Sequence, residues 1–438
     1  LLVTEPAPAV PADDGRKRLV FISPRFLFPA DEGGKIRTGD ILRRMKNGAF
    51  HITLLSPRAP GWQRYQPDLD QICDVFAGWD AVEGSGVQQL RRVTALLGRL
   101  PVSVASDRSP AASKVVQAWL DGGQAGARPE LVVVDFPHAD IYHPEPYPVP
   151  SLLFTHNVEA EIFERHAEMA QSPPMRLVWR REAEKMAAFE RRVLNKFDAV
   201  IGVSDRNAAV FGERYGVSSP RVIPTGVDLQ RFPFQRPDPT VDDCDELVFT
   251  GSMGWRANID AIRWMAEAVW PHLMARRPGI RLTVVGRDPP PDFVKEIERL
   301  GCAIRFTGFV DSIVPYVHAA AVYVMPIRVG SGTRIKTYEA IAMGRPIVST
   351  TLGVEGLPLT PGEHFEPADD PAAFAQACAR LIEDPKRRAA LADTAYRYVA
   401  DNFSSQAVAS VFEQHCLDVC EGPGRTGPGG AAAARSGG

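Results

Sequence analysis

The chain has 438 residues, 45% hydrophobic and 24% charged, with a net charge of −3. That balance excludes wholesale disorder, a collagen-like repeat or a pure coiled coil, and gives no bulk affinity for nucleic acid. At roughly 150 residues per domain the length predicts two or three domains.

The opening LLVTEPAPAVPADDGRKR has no charged start followed by a long apolar core. It reads as a Pro/Ala-rich flexible leader (1–15), not a signal peptide, and it begins without methionine as a trimmed or partial chain would. Short β-branched runs then predict strands at 18–23, 51–55, 131–135, 152–155 and 198–203. Helical patterns fall between them, at 38–46 and 175–195. A Pro-rich, acidic stretch, 231–246, reads as a linker. Strands are expected again at 247–250, 280–285, 303–307, 321–325 and 346–349, with helices at 257–276, 291–300, 334–343, 371–382 and 386–401. Near-continuous apolar strands alternating with helices predict α/β domains with parallel sheets covered on both faces. The N-terminal domain is placed at 16–230 and the C-terminal domain at 247–400. A C-terminal helix (401–421) can cross back to the first domain, and the Gly/Ala/Pro-rich 422–438 is expected to be disordered.

The six cysteines form no CxxC pair, so neither a zinc ribbon nor a thioredoxin-type site is encoded. Free thiols in a reducing compartment are expected. No apolar run approaches the ~20 residues that cross a bilayer.

The most informative stretch follows the strand at 321–325. Gly330-Ser331-Gly332-Thr333 leads into a helix with Arg334, Lys336 and Glu339 in its opening turns. Glycines permit close backbone approach, and helix N-terminal N–H groups favour an anion. Two cations add fixed positive charge suited to a diphosphate and to the charge left when it departs. Glu339 would repel phosphate but can accept from a ribose diol, so a nucleoside diphosphate satisfies both features. The bland alternative is a surface helix in which Lys336 and Glu339 are an i,i+3 pair. In the first domain, Gly33 and Gly34 suit close approach to a phosphate. Lys35 and Arg37 could meet an anionic acceptor or the donor diphosphate; otherwise this is a mobile surface loop.

KTYEAIAMGRPIVST, with Gly353 and Glu355-Gly356, resembles the donor-binding segment of family-four retaining glycosyltransferases of GT-B fold. The resemblance runs over about 16–415, through FDAVIGVS, VIPTGVDLQRF, LVFTGSMGWRANIDAI, LTVVGRDP and FTGFV. It implies two Rossmann-like doubly wound domains facing a central cleft. It implies a nucleoside-diphosphate sugar as co-substrate, no cofactor and no metal. Glu339 resembles the ribose-binding glutamate, and Arg256 falls where the family has a basic diphosphate contact. Lys336 and Arg334 supplement it, with Ser331, Gly332 and Thr333 in the donor loop. His156, in LLFTHNVE, resembles the histidine at the sugar end, with Asn157 beside it as an acceptor contact. Gly33-Gly34 resembles the glycine pair that approaches the donor phosphates.

One departure stands out. Relatives with two glutamates carry the first eight residues before the second, and Ser331 occupies that position here. The chain resembles a GxGTRxKxxE branch instead. The implied activity is metal-independent transfer of a sugar, with retention, to a saccharide, glycolipid or small-molecule hydroxyl. A sugar-nucleotide epimerase and a non-catalytic binder are the alternatives. A cytoplasmic location is implied. The stretch 175–197, with seven Arg/Lys against three Glu, is either a site for peripheral contact with an anionic inner-membrane face or a packed amphipathic helix. Asp243-Cys244-Asp245 is formally a metal-type DxD, but it sits in the linker and is rejected.

Overall fold

The computed structural model describes residues 15–30, 32–80, 95–96, 98–122, 127–170, 172–237, 245–329 and 334–422. The chain divides into two compact units, one ending at Pro224 and resuming at Val408, the other spanning Thr225–Ala407.

The first unit is built on a seven-stranded parallel sheet. Its strands are β1 (Lys17–Ile22), β2 (Phe50–Arg58), β3 (Val75–Asp80), β4 (Leu131–Asp135), β5 (Ser151–Phe154), β6 (Ala199–Gly202) and β7 (Arg221–Val222). Their order is β3-β2-β1-β4-β5-β6-β7. Every residue of β4, LVVVD, is buried, because helices cover both faces and leave no solvent side to alternate toward. The second unit carries six parallel strands: β8 (Glu246–Thr250), β9 (Arg281–Val285), β10 (Ile304–Phe306), β11 (Val322–Met325), β12 (Ile347–Ser349) and β13 (Glu366–Pro367). They run in the order β10-β9-β8-β11-β12-β13. Winding reverses between β1 and β4 in one sheet and between β8 and β11 in the other. The carboxyl ends of those pairs are where such sheets bind ligands.

The expected strands are all present, within a residue or a few at their ends. Three more exist. β3 (VFAGWD) is interrupted by a glycine, and β7 and β13 are two residues long, too short for any periodicity.

Helix α1 spans Gly33–Met45, five residues earlier than the pattern from Thr38 suggested. Gly33 and Gly34 therefore open a helix rather than sit in the loop before it. The helix penalty of glycine is an interior cost, and the first N–H groups lack intrahelical acceptors anyway. Longer helices of the first unit include α2 (Pro110–Leu120), α3 (Glu159–Met169), α4 (Pro173–Leu194) and α5 (Asp205–Tyr215).

In the second unit α6 (Arg256–Trp264) runs through a π turn at Met265–Val269 into Trp270–Arg276. Pro271 has no N–H to give to Glu267, so the ladder shifts there. Next come α7 (Pro291–Arg299), α8 (Ile335–Ala342), α9 (Pro371–Glu383) and α10 (Pro385–Phe403). The last helix, α11 (Ser405–Glu421), rejoins the first unit. Val408, Phe412 and Cys416 lie in its core, and Phe412 meets Phe154 edge-on at 5.2 Å. Glu413 accepts from the Ala49 N–H at 2.8 Å. Among the described residues no helix is long and apolar enough to cross a membrane, and Cys73, Cys302, Cys378, Cys416 and Cys420 are free thiols. The leader up to residue 14, linker residues 238–244 and the tail from 423 lie outside the described residues.

Candidate active site

At the switch point of the second sheet, α8 begins where β11 ends. Arg334 is its N-cap residue, and Lys336 and Glu339 follow within the first turn and a half. The loop residues Gly330, Ser331, Gly332 and Thr333 lie outside the described residues.

Lys336 does not pair with Glu339 as a surface i,i+3 couple would. Its Nζ reaches across to the neighbouring strand, donating to the Thr250 carbonyl at 3.2 Å and Asn258 Oδ1 at 3.0 Å. It also stands 4.0 Å from the centre of the Phe249 ring. Asn258 is held in turn by donating Nδ2 to the Ser252 carbonyl at 2.8 Å. Burial, reinforced by Arg334 and opposed by Glu339, pulls the Lys336 ammonium down to about 7. The charged form is thus poorly stabilised by protein alone and gains from an anion.

The backbone around this ammonium is glycine by necessity. A Cβ on Gly251 would lie 2.7 Å from Asn258 Nδ2 and 3.3 Å from Lys336 Nζ, and one on Gly286 would collide with the Gly251 carbonyl.

The Glu339 carboxylate makes no hydrogen bond among the described residues. Burial raises its pKa, against the pull of Arg231 and Lys336. A half-buried carboxylate with no protein donor among the described residues suits paired hydroxyl donors. Arg334 donates Nε to the Leu352 carbonyl at 3.5 Å. Beside it a pocket of about 370 Å³ is lined by Ile327, Arg328, Thr350, Thr351, Leu352, Glu355 and Asp369. Arg256 is the exposed first residue of α6.

In the first unit a second cluster forms at the carboxyl ends of β4 and β5. Asp135, fully buried, accepts from His156 Nε2 at 2.7 Å, Ser23 Oγ at 3.1 Å and Thr38 Oγ1 at 3.3 Å. Arg37 Nη1 lies 3.1 Å from His156 Nδ1. A guanidinium can only donate, so Nδ1 is the acceptor and the proton sits on Nε2, facing Asp135. His156 is therefore a neutral ring of fixed tautomer. Burial lowers its pKa against the opposing pull of Asp135. Burial also lowers Arg37 to about 10, again opposed by Asp135.

The ring is clamped from both sides. Phe136 stacks at 4.2 Å and Phe154 leans in at 4.3 Å. Phe136 holds a φ of +64° to do so, a strained backbone of the kind that persists where the surroundings demand it. A Cβ on Gly34 would stand 2.7 Å from Phe136 Cζ, whereas Gly33 faces open space. Gly34 is thus explained by the Phe136 ring. Lys35 is half-buried on α1. Asn157 is exposed, and its side chain bonds Glu159.

The structure thus gathers Arg37 with His156 in the first unit, and Arg334, Lys336 and Glu339 in the second. Sequence reasoning missed Asp135, Phe136, Thr250 and Asn258. Asp135 had a legible signal, a carboxylate ending an otherwise apolar strand; the others had none. Of the rejected DxD, Asp245 is ion-paired with Arg277 at 2.7 Å; Asp243 and Cys244 lie outside the described residues.

Comparison with known proteins matches residues 33–231 to the model described as Glycosyltransferase Family 4, and residues 244–384 to the one described as Glycosyl transferases group 1. An uncharacterized 44.6 kDa protein in the cps region of Klebsiella pneumoniae is 23% identical over 242 residues, 53% of this chain and 60% of that protein. A phosphatidyl-myo-inositol mannosyltransferase of Mycolicibacterium smegmatis is 30% identical over 126 residues, 28% of this chain and 33% of that protein. The chain thus spans less than two thirds of the curated relatives it matches. The crystal structure of Anabaena HepE in complex with UDP superposes with a TM-score of 0.59 at 15% identity, covering 92% of this chain and all of that one. That likeness is one of fold.

Proposed function

As a member of the family-four, group 1 glycosyltransferases with the GT-B fold, the chain is one that we propose transfers a sugar from a nucleoside diphosphate to an acceptor hydroxyl. The transfer retains anomeric configuration and uses no metal ion or cofactor. The observation that carries this reading is the start of α8. There Lys336, lodged against Gly251 and Asn258, stands one turn from Glu339, whose carboxylate has no hydrogen-bond partner among the described residues. An anion and a diol are the two chemistries those groups lack.

In the proposed step the bond from the anomeric carbon to the diphosphate oxygen breaks. A bond to the acceptor oxygen forms on the same face. The acceptor proton passes to the departing phosphate oxygen, which makes a separate protein base unnecessary. Lys336, Arg334 and Arg256, with the α8 N-terminus and its loop residues Ser331, Gly332 and Thr333, stabilise the leaving diphosphate. Glu339 binds the ribose. Gly33 and Gly34 are assigned to the donor phosphates. Lys35 and Asn157 are assigned to the acceptor. His156 and Arg37 act at the sugar end as one unit, the neutral ring aiming the guanidinium. The acceptor is a saccharide, a glycolipid or a small molecule.

The test begins with thermal melting in the presence of UDP, GDP and their sugars, since a ligand of the native state raises the melting temperature. UDP is the first choice because HepE was solved with it. A stabilising nucleotide sugar should then be consumed only when an acceptor is added, with the anomeric configuration kept in the product and EDTA without effect. Conversion without acceptor would replace this reading by epimerisation. Binding without turnover across a broad acceptor panel would replace it by a non-catalytic binder, and activity lost to EDTA and restored by a divalent ion would overturn the metal-free step.

A further inference from the structure

Helix α4 breaks a rule of helix design at its N-terminus. Acidic side chains belong in a first turn, where they offset the positive end of the helix dipole. Here Ser172–Arg181, SPPMRLVWRR, contains three arginines and no acid. Its residues are solvent-exposed except Trp179, which is half-buried. Among the described residues, Arg176, Arg180 and Arg181 pair with no carboxylate.

The same two and a half turns expose apolar side chains. Leu177 is 70% exposed, Met175 46% and Val178 36%. Ile162 of α3 adds a fourth at 37%. The projection is held in place, because Trp179 stacks on His166 at 4.9 Å and leans on Phe163 at 6.0 Å. The rest of α4 behaves as an ordinary packed helix: Met186, Phe189, Val193 and Leu194 are buried in the core. The packed-helix reading of 175–197 thus holds for the second half of the helix and not for its start.

We propose that the projecting tip of α4, residues 172–181, docks on an anionic phospholipid surface. Its exposed apolar side chains enter the interface and its three arginines meet the headgroups. An anionic surface supplies the negative charge that the helix start lacks, and exposed apolar groups interleaved with arginine suit the headgroup boundary.

The experiment is flotation of the full chain with vesicles of phosphatidylglycerol and phosphatidylcholine in equal parts, against phosphatidylcholine alone. The chain should float only with the anionic vesicles, and less so as salt is raised. Changing Arg176, Arg180 and Arg181 together to Ala should weaken binding about 100-fold, about fivefold per arginine. Leu177→Asp should weaken it as well. Neither variant touches the core, so melting temperature and its shift by UDP should stay as in the parent chain. Absence of flotation with anionic vesicles overturns the proposal, as does equal flotation of parent and triple variant. So does a concentration-dependent dimer that Leu177→Asp abolishes while vesicles go unbound. None of these outcomes alters the nucleotide reading, which the UDP-induced shift reports separately.

Discussion

His156 Nε2 and Asp135 Oδ1 lie 2.7 Å apart, and that contact organises the carboxyl end of the first sheet. The carboxylate holds the ring in one tautomer, the ring accepts from Arg37, and the burial cost of that guanidinium is offset by the same carboxylate.

Asp135→Asn tests the arrangement. The amide keeps the shape but removes the charge that balances Arg37. The carboxylate accepts hydrogen bonds from His156, Ser23 and Thr38, and a hydrogen bond to a charged group contributes about 1.5–3 kcal/mol, so chemical denaturation should show a loss of about 1.5–3 kcal/mol in the unit that holds β4. Nitrogen NMR of the parent chain should show His156 neutral with its proton on Nε2. A cationic ring at pH 7 would contradict the assignment.

The same ring predicts an acid limb to stability. Its folded pKa lies below the ordinary 6.5, so the unfolded chain takes up the proton first. The contribution is fully present above pH 6.5 and is lost as pH falls toward the lower folded value. Half-buried His138, pushed down to about 4, acts in the same direction. Melting temperature should therefore decline between pH 6.5 and about 4, and His156→Gln should flatten the upper part of that decline. A profile unchanged by the substitution would place the titration elsewhere.

Much of this was legible in the sequence, for identifiable reasons. Strands such as LVVVD are apolar on both faces, which only a covered parallel sheet permits. The helix at 335–342 was readable because glycines, cations and a strand end converge on it. Asn258 was not, because its meaning arises only when β8 and β11 lie side by side and bring Lys336 against it. Gly34 was readable as a special position, but its reason, the Phe136 ring, comes from a residue about a hundred positions away. The start of α1 was misplaced because two glycines argue against a helix interior and say little about a helix N-terminus.

Lys336 predicts a proton linked to ligand binding. Its pKa of about 7 in the protein alone should rise when a diphosphate binds. Binding above pH 7 then draws a proton from solution, and affinity for UDP should fall as pH climbs from 7, by at most about tenfold per unit. Calorimetry in two buffers of different ionisation enthalpy would count the proton. Lys336→Met, similar in length but uncharged, should bind UDP weakly and without that dependence. Identical affinity at pH 7 and 9 in the parent chain would refute the linkage.

Two glycine substitutions should differ sharply. Gly286→Ala forces a Cβ against the Gly251 carbonyl, and backbone cannot step aside. A loss of about 1–3 kcal/mol or more is expected, seen as a lower melting temperature of the second unit. Gly33→Ala meets nothing within 4 Å, so folding should be unaffected. If Gly33 lies against the donor phosphates, the added methyl weakens nucleotide-sugar binding while the melting temperature of the free protein stays put. If Gly33→Ala binds donor normally, Gly33 has no place in the donor site.

Glu339 can be separated from its neighbours by changing the ligand as well as the protein. A hydrogen bond to a charged group contributes about 1.5–3 kcal/mol, so Glu339→Ala should weaken UDP binding about 10- to 100-fold. The loss should come from the ribose. In the parent chain 2′-deoxy-UDP should bind more weakly than UDP, and in Glu339→Ala the two should bind alike. Burial raises the carboxylate's pKa, which marks a cost to its charged form, so the variant should also be at least as stable as the parent when neither carries ligand. A variant that still distinguishes UDP from its 2′-deoxy analogue to the full extent would show that the ribose is recognised by another group.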